Sequence, residues 1–461
     1  MRRLRDYQQE AVDRLTERHR MILGDEQGLG KTAVALVSLI KQIRVGAQIL
    51  ILCPDVALGT WRRELKKWFG EDAPTLIYSG RSKPHERRIL WNEFVENKPV
   101  LLIATYAMID EISQLQTMWQ GIVCDEYHKA GLMNHKTQTF KKFKRLHSRY
   151  LVMVTGTPIR KGPQDLYAPL HLINPTKFSN YWRFVNTYCI VTKEYFGYTI
   201  EKRPKNPQQF VEMLKPYLIR RTKKKVLKEL PPIERQPLYM QMTPKQAEYY
   251  EELAEHGVLE TPSGLVLCAN EAVKIIRLRQ LLVTPKIFGF DEPGIGLKTL
   301  KEVVGDSFEG GRSVAICTPF KSGADIIAHE ISQGIADSVY TIHGDVKQDP
   351  RTIADAFQED PRVRKAIVYT VSSGMSWDAY TASDCYFLGA EWSAIDNRQA
   401  EARLHRMGQE KSVNVYYMIN EDTIDDAIVD RLDENIMASN WVLELDYVLD
   451  ILKRRKERYQ C

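Results

Sequence analysis

Short, continuous apolar runs recur along the first half of the chain and alternate with segments of helical periodicity. The runs lie at residues 21–23, 48–54, 100–106, 121–124 and 151–154. A run of this kind is typical of a strand that is buried on both faces of a parallel sheet. Because such strands alternate here with helical segments, the pattern predicts a doubly wound α/β domain.

The second half of the chain repeats this pattern. Apolar runs at 313–317, 339–342, 365–370 and 384–388 predict a second α/β domain with a parallel sheet. Residues 243–282, which lie between the two sets of runs, have helical periodicity and are expected to form a helical protrusion. The predicted fold class is therefore α/β, with two doubly wound parallel sheets and small helical additions.

Length, charge and cysteine content agree with a multidomain protein of the reducing cytosol. The chain has 461 residues, and single cores rarely exceed about 250 residues. Its 65 Lys+Arg and 59 Asp+Glu give a net charge of +6, which permits a polyanionic partner without requiring one. The seven cysteines are far apart, so neither a zinc ribbon nor a disulfide framework is expected. Neither a signal peptide nor a membrane span is expected either.

The segment 24–32, with the sequence GDEQGLGKT, has the context of a phosphate-binding loop, because it follows an apolar run and precedes a helical segment. Gly28 and Gly30 supply flexible positions, and the next helix adds the positive end of its dipole. Lys31 can reach the β- and γ-phosphates, and Thr32 can bind magnesium. Asp25 occupies the place of the first glycine in the strict pattern. Taken alone, the segment is also compatible with a turn that binds nothing.

Two adjacent acids follow the apolar run 121–124 and supply the second part of a nucleotide site. Asp125 is placed to hold magnesium, and Glu126 is placed to orient and deprotonate an attacking water. The alternative is a strand-end turn with solvated acids. Upstream, Gln8 carries an amide donor and acceptor that can read the edge of adenine, although a surface glutamine would have the same sequence.

Two arginines near the end of the second half could complete such a site. Arg403 and Arg406 are three residues apart, so on a helix they would share a face. Planar guanidinium groups can clamp a γ-phosphate that the other domain supplies. By spacing alone, surface arginines in helical ion pairs are the alternative. The basic run 220–225 is interpreted as a connector between the domains or as solvated surface.

The segments DEQGLGKT, CDEYH and TGTPIRKGPQDLYAPLHLINP resemble the Swi/Snf family of superfamily-two helicase-like, DNA-dependent ATPases. LIRRTKKKVLKELPP, LRQLL and NRQAEARLHRMGQEKSVNVYYMINEDTIDDAI extend the resemblance, in the family's order, over nearly the whole chain. It implies two RecA-like lobes that bind double-stranded DNA and step along it with ATP and Mg²⁺. The implied catalytic residues are Lys31, Asp125, Glu126, Arg403 and Arg406; the implied nucleotide-binding residues are Gln8, Gly28, Gly30, Lys31 and Thr32; and the implied metal ligands are Thr32 and Asp125.

The resemblance also implies boundaries. We expect an N-terminal lobe over 1–217 with a short helical insertion near 177–210, a connector over 218–235, a helical protrusion over 236–294, and a C-terminal lobe over 295–461 that ends in a brace helix. Tyr127 stands where alanine is usual, so we expect a differently shaped water pocket. By position in the family's motifs, the residues expected to contact DNA are Trp61, Thr105, His343 and Ser373.

The compact length resembles bacterial or viral members of the family. We therefore expect a monomer in a bacterial or virus-infected bacterial cytoplasm, or in a nucleus if the source is eukaryotic, with a protein partner that directs it to a site. Two other functions stay open. One is a strand-separating DNA or RNA helicase, which would need a wedge element. The other is a non-hydrolysing, ATP-dependent DNA clamp or scaffold, against which Glu126 and the two arginines argue.

Overall fold

The computed structural model describes residues 3–41, 47–71, 75–97, 101–115, 117–195, 197–373 and 377–428. These residues form two compact units, a first unit that reaches Lys228 and a second unit that begins at Glu229. Each unit contains one large sheet in which all paired strands are parallel. The predicted α/β class with two parallel sheets is confirmed. The predicted brace helix lies outside the described residues.

The first unit is built around a seven-stranded sheet. In chain order its elements are α1 (Asp6–Arg18), β1 (Arg20–Leu23), α2 (Lys31–Ile40), β2 (Ile49–Cys53), α3 (Leu58–Phe69), β3 (Thr75–Tyr78), α4 (Pro84–Asn97), β4 (Leu101–Thr105), α5 (Ile109–Gln114), β5 (Met118–Asp125), α6 (Gln138–Phe143), β6 (His147–Val154), α7 (Tyr167–Ile173), α8 (Tyr181–Tyr188), β7 (Cys189–Glu194), β8 (Gly197–Pro204), α9 (Pro207–Leu214), β9 (Leu218–Ile219) and α10 (Lys223–Val226). The strand order of the sheet is β3-β4-β2-β5-β6-β1-β9.

The second unit is built around a six-stranded sheet. Its elements are β10 (Ile233–Met240), α11 (Pro244–His256), β11 (Val258–Thr261), β12 (Gly264–Leu267), α12 (Glu271–Val283), α13 (Gly294–Glu309), β13 (Ser313–Thr318), α14 (Lys321–Ser332), β14 (Ser338–Ile342), α15 (Pro350–Glu359), β15 (Lys365–Thr370), β16 (Ala382–Leu388), α16 (Ala394–Glu401) and β17 (Val413–Asn420). The strand order is β10-β17-β16-β13-β15-β14.

Side chains of each sheet alternate between two buried apolar clusters, one on each face. Within β2 alternate residues belong to the two clusters of the first unit, and β13 divides its residues in the same way in the second unit. Successive side chains of a strand point to opposite faces, so a strand covered on both faces must be apolar throughout. This requirement explains the unbroken apolar runs from which the strands were predicted.

Both predicted helical protrusions contain an antiparallel hairpin between two helices. In the first unit β7 and β8 lie between α8 and α9, and in the second unit β11 and β12 lie between α11 and α12. The prediction that 243–282 is helical is therefore wrong at the hairpin. Hairpin strands that are exposed on their outer faces do not need a continuous apolar run, so the pattern that reveals core strands does not reveal them.

Strands at both ends of the predicted connector, 218–235, belong to the two sheets. β9 pairs with β1 of the first sheet, and β10 pairs with β17 of the second. The chain passes between the units at Lys228 and Glu229, within the predicted connector. Among the described residues, no helix combines the length and the apolar composition that a membrane span needs.

Candidate nucleotide-binding site

Three loops of the first unit meet at the carboxyl edge of its sheet. β6 pairs in parallel with both β1 and β5, so the ends of these three strands lie side by side. The loop after β1 carries Lys31, β5 ends at Asp125 and Glu126, and β6 is followed by Thr155. Burial lowers the pKa of Lys31, whereas the negative charges of Glu126, Asp25 and Asp125 raise it. The structure thus brings the predicted lysine and both predicted acids into one electrostatic environment.

The phosphate-binding loop has the backbone geometry that its glycines predict. Gly28 and Gly30 have φ angles of 85° and 77°, in the left-handed region that glycine tolerates best. Helix α2 begins directly afterwards at Lys31, whose ammonium donates to the carbonyl oxygens of Asp25 at 3.0 Å and Glu26 at 3.3 Å. A helix N-terminus behind a glycine-rich turn is a ready site for an anion. An arriving phosphate would replace the two carbonyl partners of the lysine.

Gln8 braces this loop from helix α1. Its side-chain nitrogen donates to the Leu29 carbonyl at 3.0 Å, and its oxygen accepts from the Arg5 backbone at 3.1 Å. A Cβ atom added to Gly30 would lie 2.4 Å from the Gln8 nitrogen, so the glycine allows this close approach. The nitrogen and the oxygen of the Gln8 side-chain amide therefore both form hydrogen bonds within the protein. Recognition of adenine by this residue stays a prediction.

Asp25, the departure from the strict loop pattern, is the buried half of an ion pair. Its side chain is fully buried, and its Oδ1 accepts from the backbone nitrogen of Arg221 at 3.0 Å and from the Arg221 Nε at 3.1 Å. A second contact joins the Arg221 Nη2 to the Asp25 Oδ2, so the pairing is bidentate. Arg221 also donates to the carbonyl of Tyr7 and lies over its ring.

The neighbours of Arg221 extend this connection between the loop and the segment after β9. Arg220 donates to the carbonyls of Gly24 at 2.6 Å and Gly156 at 3.1 Å, and Glu26 accepts from the Lys223 backbone at 2.7 Å. The alternative that 220–225 is solvated surface is therefore wrong for its first residues, which hold the phosphate-binding loop in place. The role of the run as a connector stays a prediction. The sequence carries one signal of this contact, an aspartate where glycine is the rule, but it does not identify the distant partner of that aspartate.

We expect Arg221→Ala to destabilise the first unit by about 3–5 kcal/mol, because the buried Asp25 carboxylate would lose its counter-charge. Urea denaturation of the variant measures this loss. Arg81→Ala is the matched control, since Arg81 makes only an exposed 3.7 Å contact with Asp55. If both variants unfold at the same urea concentration, the pair does not stabilise the loop. A double variant, Asp25→Gly with Arg221→Ala, should lose less unfolding free energy than Arg221→Ala alone.

Asp125 is held by two aromatic residues. The indole nitrogen of the fully buried Trp61 donates to the Asp125 Oδ2 at 2.8 Å, and the Tyr106 hydroxyl donates to the Asp125 carbonyl at 2.8 Å. Burial raises the pKa of Asp125, and the neighbouring Glu126 charge raises it further, whereas the Trp61 hydrogen bond and the Lys31 charge lower it. A cation bound at Asp125 would offset both the burial and the Glu126 charge that raise the pKa of this carboxyl.

Glu126 is strained and belongs to a buried hydrogen-bond network. Its φ angle of 45° lies in a region that residues other than glycine rarely adopt. Its Oε2 accepts from the Thr155 hydroxyl at 3.3 Å and lies 3.2 Å from the His128 Nδ1. The Thr155 oxygen lies 2.8 Å from the same His128 nitrogen and accepts from the Thr157 backbone at 3.0 Å.

The pKa of Glu126 is lowered within this network. Burial acts to raise the pKa, but the hydrogen bond from His128 and the charges of His128 and Lys31 outweigh it. The carboxylate is therefore ionised at neutral pH and able to accept hydrogen bonds. Thr155, directly after β6, contacts this carboxylate.

Tyr127 does not face this network. Its ring is fully buried in the apolar cluster that also contains Leu132 and Ile159. The larger side chain packs into the core of the unit, and a differently shaped water pocket stays a prediction. In the sequence, nothing showed on which side of the strand end this residue would lie.

Most of the predicted DNA-contacting side chains are buried. Besides Trp61, Thr105 is 2% exposed and its hydroxyl accepts from the Gly80 backbone at 3.3 Å. His343 is 7% exposed, and its Nε2 lies 2.8 Å from the Asp325 Oδ1. The prediction of direct DNA contact by these three side chains is corrected: they support neighbouring groups. Ser373 is half-buried, and its backbone nitrogen donates to the Thr370 carbonyl at 2.9 Å.

Arg403 and Arg406 lie in the second unit, beyond the end of α16, which stops at Glu401. The expectation that they share a helical face is wrong. They converge instead on one segment, because Arg403 donates to the Trp377 carbonyl at 3.0 Å and Arg406 forms an ion pair with Asp378. Glu401, the last residue of α16, accepts from the Arg235 Nε at 3.0 Å.

The donor set of the first unit fits magnesium. Mg²⁺ in nucleotide sites is usually held by one or two carboxylates, waters and the phosphates of the substrate. Asp125 and Thr32 supply a carboxylate and a hydroxyl at the edge where the phosphate-binding loop lies. Among the described residues, no cluster of three or more His, Cys, Asp or Glu side chains could hold a metal by itself.

Comparison with known families agrees with this geometry. The profile of the SNF2-related domain matches residues 7–286, from helix α1 past α12, which is more than half of the 461 residues. The chain belongs to the SNF2-related family. The matched range includes the phosphate-binding loop, both acids and the Asp25–Arg221 pair, so the whole first-unit site lies within the SNF2-related domain.

Curated relatives are much longer than this SNF2-related chain. The chain is 26% identical to the mouse chromodomain-helicase-DNA-binding protein 1-like, over 96% of this chain and 50% of that protein. It is 27% identical to the ISWI chromatin-remodeling complex ATPase ISW2 of Saccharomyces cerevisiae, over 96% of this chain and 41% of that protein. A solved Sulfolobus solfataricus SWI2/SNF2 ATPase core in complex with double-stranded DNA covers 96% of this chain and 98% of its own, with 21% identity and a TM-score of 0.45.

Proposed function

We propose that this chain is a DNA-dependent ATPase that hydrolyses Mg-ATP and uses the reaction to move along double-stranded DNA. The observation that carries the proposal is the meeting of Lys31, Asp125 and Glu126 at one edge of the first sheet, with the charges of both acids acting on the lysine. Phosphoryl transfer needs positioned charge around the γ-phosphate, and this set supplies it. Two relatives, a chromodomain-helicase-DNA-binding protein and a chromatin-remodeling complex ATPase, support the same function.

Each residue of the first unit has a role in this proposal. The left-handed glycines and the N-terminus of α2 bind the phosphates, and Lys31 neutralises their charge. Thr32 and Asp125 would hold magnesium, which when bound supplies further neutralisation of the phosphate charge. The ionised Glu126 accepts a hydrogen bond from the attacking water and orients it. Thr155 and His128 fix the direction of that carboxylate.

The second unit supplies positive charge. We assign Arg403 and Arg406 to stabilise the charge that develops on the γ-phosphate, because arginine stays ionised and offers paired donors. DNA would be bound mainly through its phosphates, independently of sequence and with strong dependence on salt. Ser373 is the remaining DNA-contact candidate whose side chain is not buried. A monomeric working form and a protein partner that directs the enzyme to a site belong to the same proposal.

ATP turnover by the purified protein tests this function. We would compare protein alone with double-stranded DNA, single-stranded DNA and RNA at two salt concentrations, with Lys31→Ala as the inactive reference. We expect double-stranded DNA to stimulate ATP turnover strongly. This stimulation should be absent in Lys31→Ala and weaker at the higher salt concentration. Stimulation by single strands or RNA only would contradict duplex translocation and favour a strand-separating helicase. No turnover with any polymer would favour the non-hydrolysing clamp.

Trp61→Phe should raise the Mg²⁺ concentration that gives half-maximal turnover by about tenfold, because groups that orient a metal ligand typically contribute 10–100-fold. Phenylalanine retains most of the buried ring but cannot donate to the Asp125 Oδ2. Turnover measured across a magnesium titration tests this. Trp119→Phe is the matched control, a fully buried tryptophan in the same unit. An equal shift in both variants would indicate general loosening of the core instead of an effect on Asp125.

A further inference from the structure

The β7–β8 hairpin of the first unit lies outside the seven-stranded sheet. Its strands pair only with each other, and the pairs nearest the turn are Lys193 with Tyr198 and Glu194 with Gly197. Tyr195 directly follows the last paired residue of β7. This arrangement places Tyr195 at the tip of the hairpin.

Aromatic side chains near the tip are exposed to solvent. Tyr195 is 94% exposed, Tyr198 is 59% exposed, and Trp182 on the preceding helix α8 is 46% exposed. The rings of Trp182 and Tyr198 meet edge to face with centroids 5.3 Å apart, so the hairpin and the helix share one aromatic surface. Large exposed apolar groups that gather in one place mark a binding surface, since single ones are scattered on ordinary proteins.

The hairpin that carries these aromatic residues has an excess of positive charge. Residues 189–205 contain four basic and two acidic side chains, and all four basic ones are exposed: Lys193, Lys202, Arg203 and Lys205. The two acids have partners within the hairpin, because Glu194 accepts from Thr199 and Glu201 lies 2.9 Å from Arg203. Aromatic rings between exposed lysines and arginines suit a polyanion that also offers flat rings, which is the chemistry of a nucleic acid.

The root of the hairpin lies next to the loop that follows β6. A Cβ atom built on Gly162 would be 3.2 Å from the carbonyl oxygen of Glu201 in β8. Gly162 is five residues beyond Thr157, which donates to the Thr155 oxygen of the Glu126 network. The backbone between them is tied down by Asp165, which accepts from the nitrogens of Arg160 at 2.8 Å and Lys161 at 2.6 Å. The hairpin therefore packs against a loop that is only a few residues along the chain from the Glu126 network.

We propose that the β7–β8 hairpin binds DNA at the point where a duplex opens, by stacking its aromatic tip on an unpaired base while its basic residues contact phosphates. Within a duplex both faces of each internal base are already covered by its neighbours, so an aromatic tip needs an unpaired or terminal base, such as the first unpaired base at a fork. Stacking of this kind is independent of sequence, because every base has a flat face. The proposal rests on the DNA-dependent function proposed above and specifies the DNA structure that the first unit prefers.

Equilibrium binding to two DNA molecules tests this inference. One is a fully paired duplex, and the other has the same paired length and ends in two unpaired arms, with 2-aminopurine at the first unpaired position. We expect the wild-type chain to bind the forked DNA more tightly and to change the 2-aminopurine fluorescence. Tyr195→Ala with Tyr198→Ala should weaken binding to the fork by about tenfold or more and remove the fluorescence change, with binding to the paired duplex nearly unchanged.

Two comparisons separate stacking from other causes. Tyr195→Phe with Tyr198→Phe keeps the rings and should restore fork binding. Tyr239→Ala removes a 57% exposed tyrosine from β10 of the second unit. It should leave binding to both DNA molecules unchanged. An undiminished fork preference in the double alanine variant overturns the inference, and so does equal loss on both DNA molecules. Turnover that no duplex stimulates would instead contradict the proposed function, because loss of the hairpin contact leaves duplex stimulation intact.

Discussion

Replacing Glu126 by glutamine is expected to lower DNA-stimulated ATP turnover by about 10²–10⁴-fold, the usual contribution of a positioned general base. Glutamine has the same shape and retains an oxygen that can accept from Thr155, so the buried network should persist. It cannot take a proton from water. The strained backbone at this position, with φ of 45°, is present in both proteins. The effect should therefore fall on the chemical step and not on folding.

Turnover and nucleotide affinity, measured on the same preparations, check this result. The dissociation constant of a fluorescent ATP analogue should be nearly the same for the variant and the wild type, whereas the turnover number falls. Glu71→Gln is the matched control, since the side chain of Glu71 is 75% exposed and pairs only with Lys66 among the ion pairs of the described residues. Wild-type turnover no faster than that of Glu126→Gln would contradict hydrolysis at this site and favour a clamp that binds ATP without using it.

Arg406→Ala is expected to reduce turnover by about 10³–10⁵-fold, the range for an arginine that stabilises the charge of a transferred phosphoryl group. The removed guanidinium is paired with Asp378 in the second unit, and that pair is partly exposed. Its loss should cost less than the roughly 3–5 kcal/mol of a fully buried pair, because both side chains keep some contact with solvent. A large loss of turnover without unfolding would thus identify a catalytic role. Arg403 is a less suitable target, because it also binds the Trp377 carbonyl and lies over its ring.

Asp378→Asn is the control that separates the two explanations. This variant breaks the same ion pair but leaves Arg406 in place. If Arg406 acts on the nucleotide, the asparagine variant should turn over ATP at close to the wild-type rate. If both variants lose activity equally, the pair is structural and the assignment of Arg406 is contradicted. Circular dichroism of each variant shows whether the fold of the second unit persists.

Nine of the thirteen strands in the two described sheets could be predicted from the sequence, because burial on two faces imposes an apolar run. The missed strands are β3, β9, β10 and β17. β9 has only two residues, and β10, at the edge of its sheet, is mostly exposed. The hairpin strands β7 and β8 pair only with each other, so their composition follows the surface and not the core. Pairing of this kind depends on distant partners that a local pattern does not name.

The features of the site also divide into those that the sequence predicts and those that it does not. The phosphate-binding loop and the two acids are local motifs, and the structure brings them together at one sheet edge as the parallel topology requires. The Asp25–Arg221 pair joins positions 196 residues apart, and no local signal specifies such a partner. Trp61 illustrates the converse problem. Its motif position suggested contact with DNA, but its burial and its bond to Asp125 show a supporting role within the site.

The measurement that tests the central claim most directly is displacement of a third DNA strand from a duplex track. If hydrolysis in this chain drives movement along double-stranded DNA, the wild-type protein with Mg-ATP should release the third strand, after a delay that grows with the length of duplex ahead of it. Lys31→Ala and Glu126→Gln should release none above the level without ATP. DNA-stimulated turnover without displacement on any track, or release that does not depend on ATP, would contradict the account.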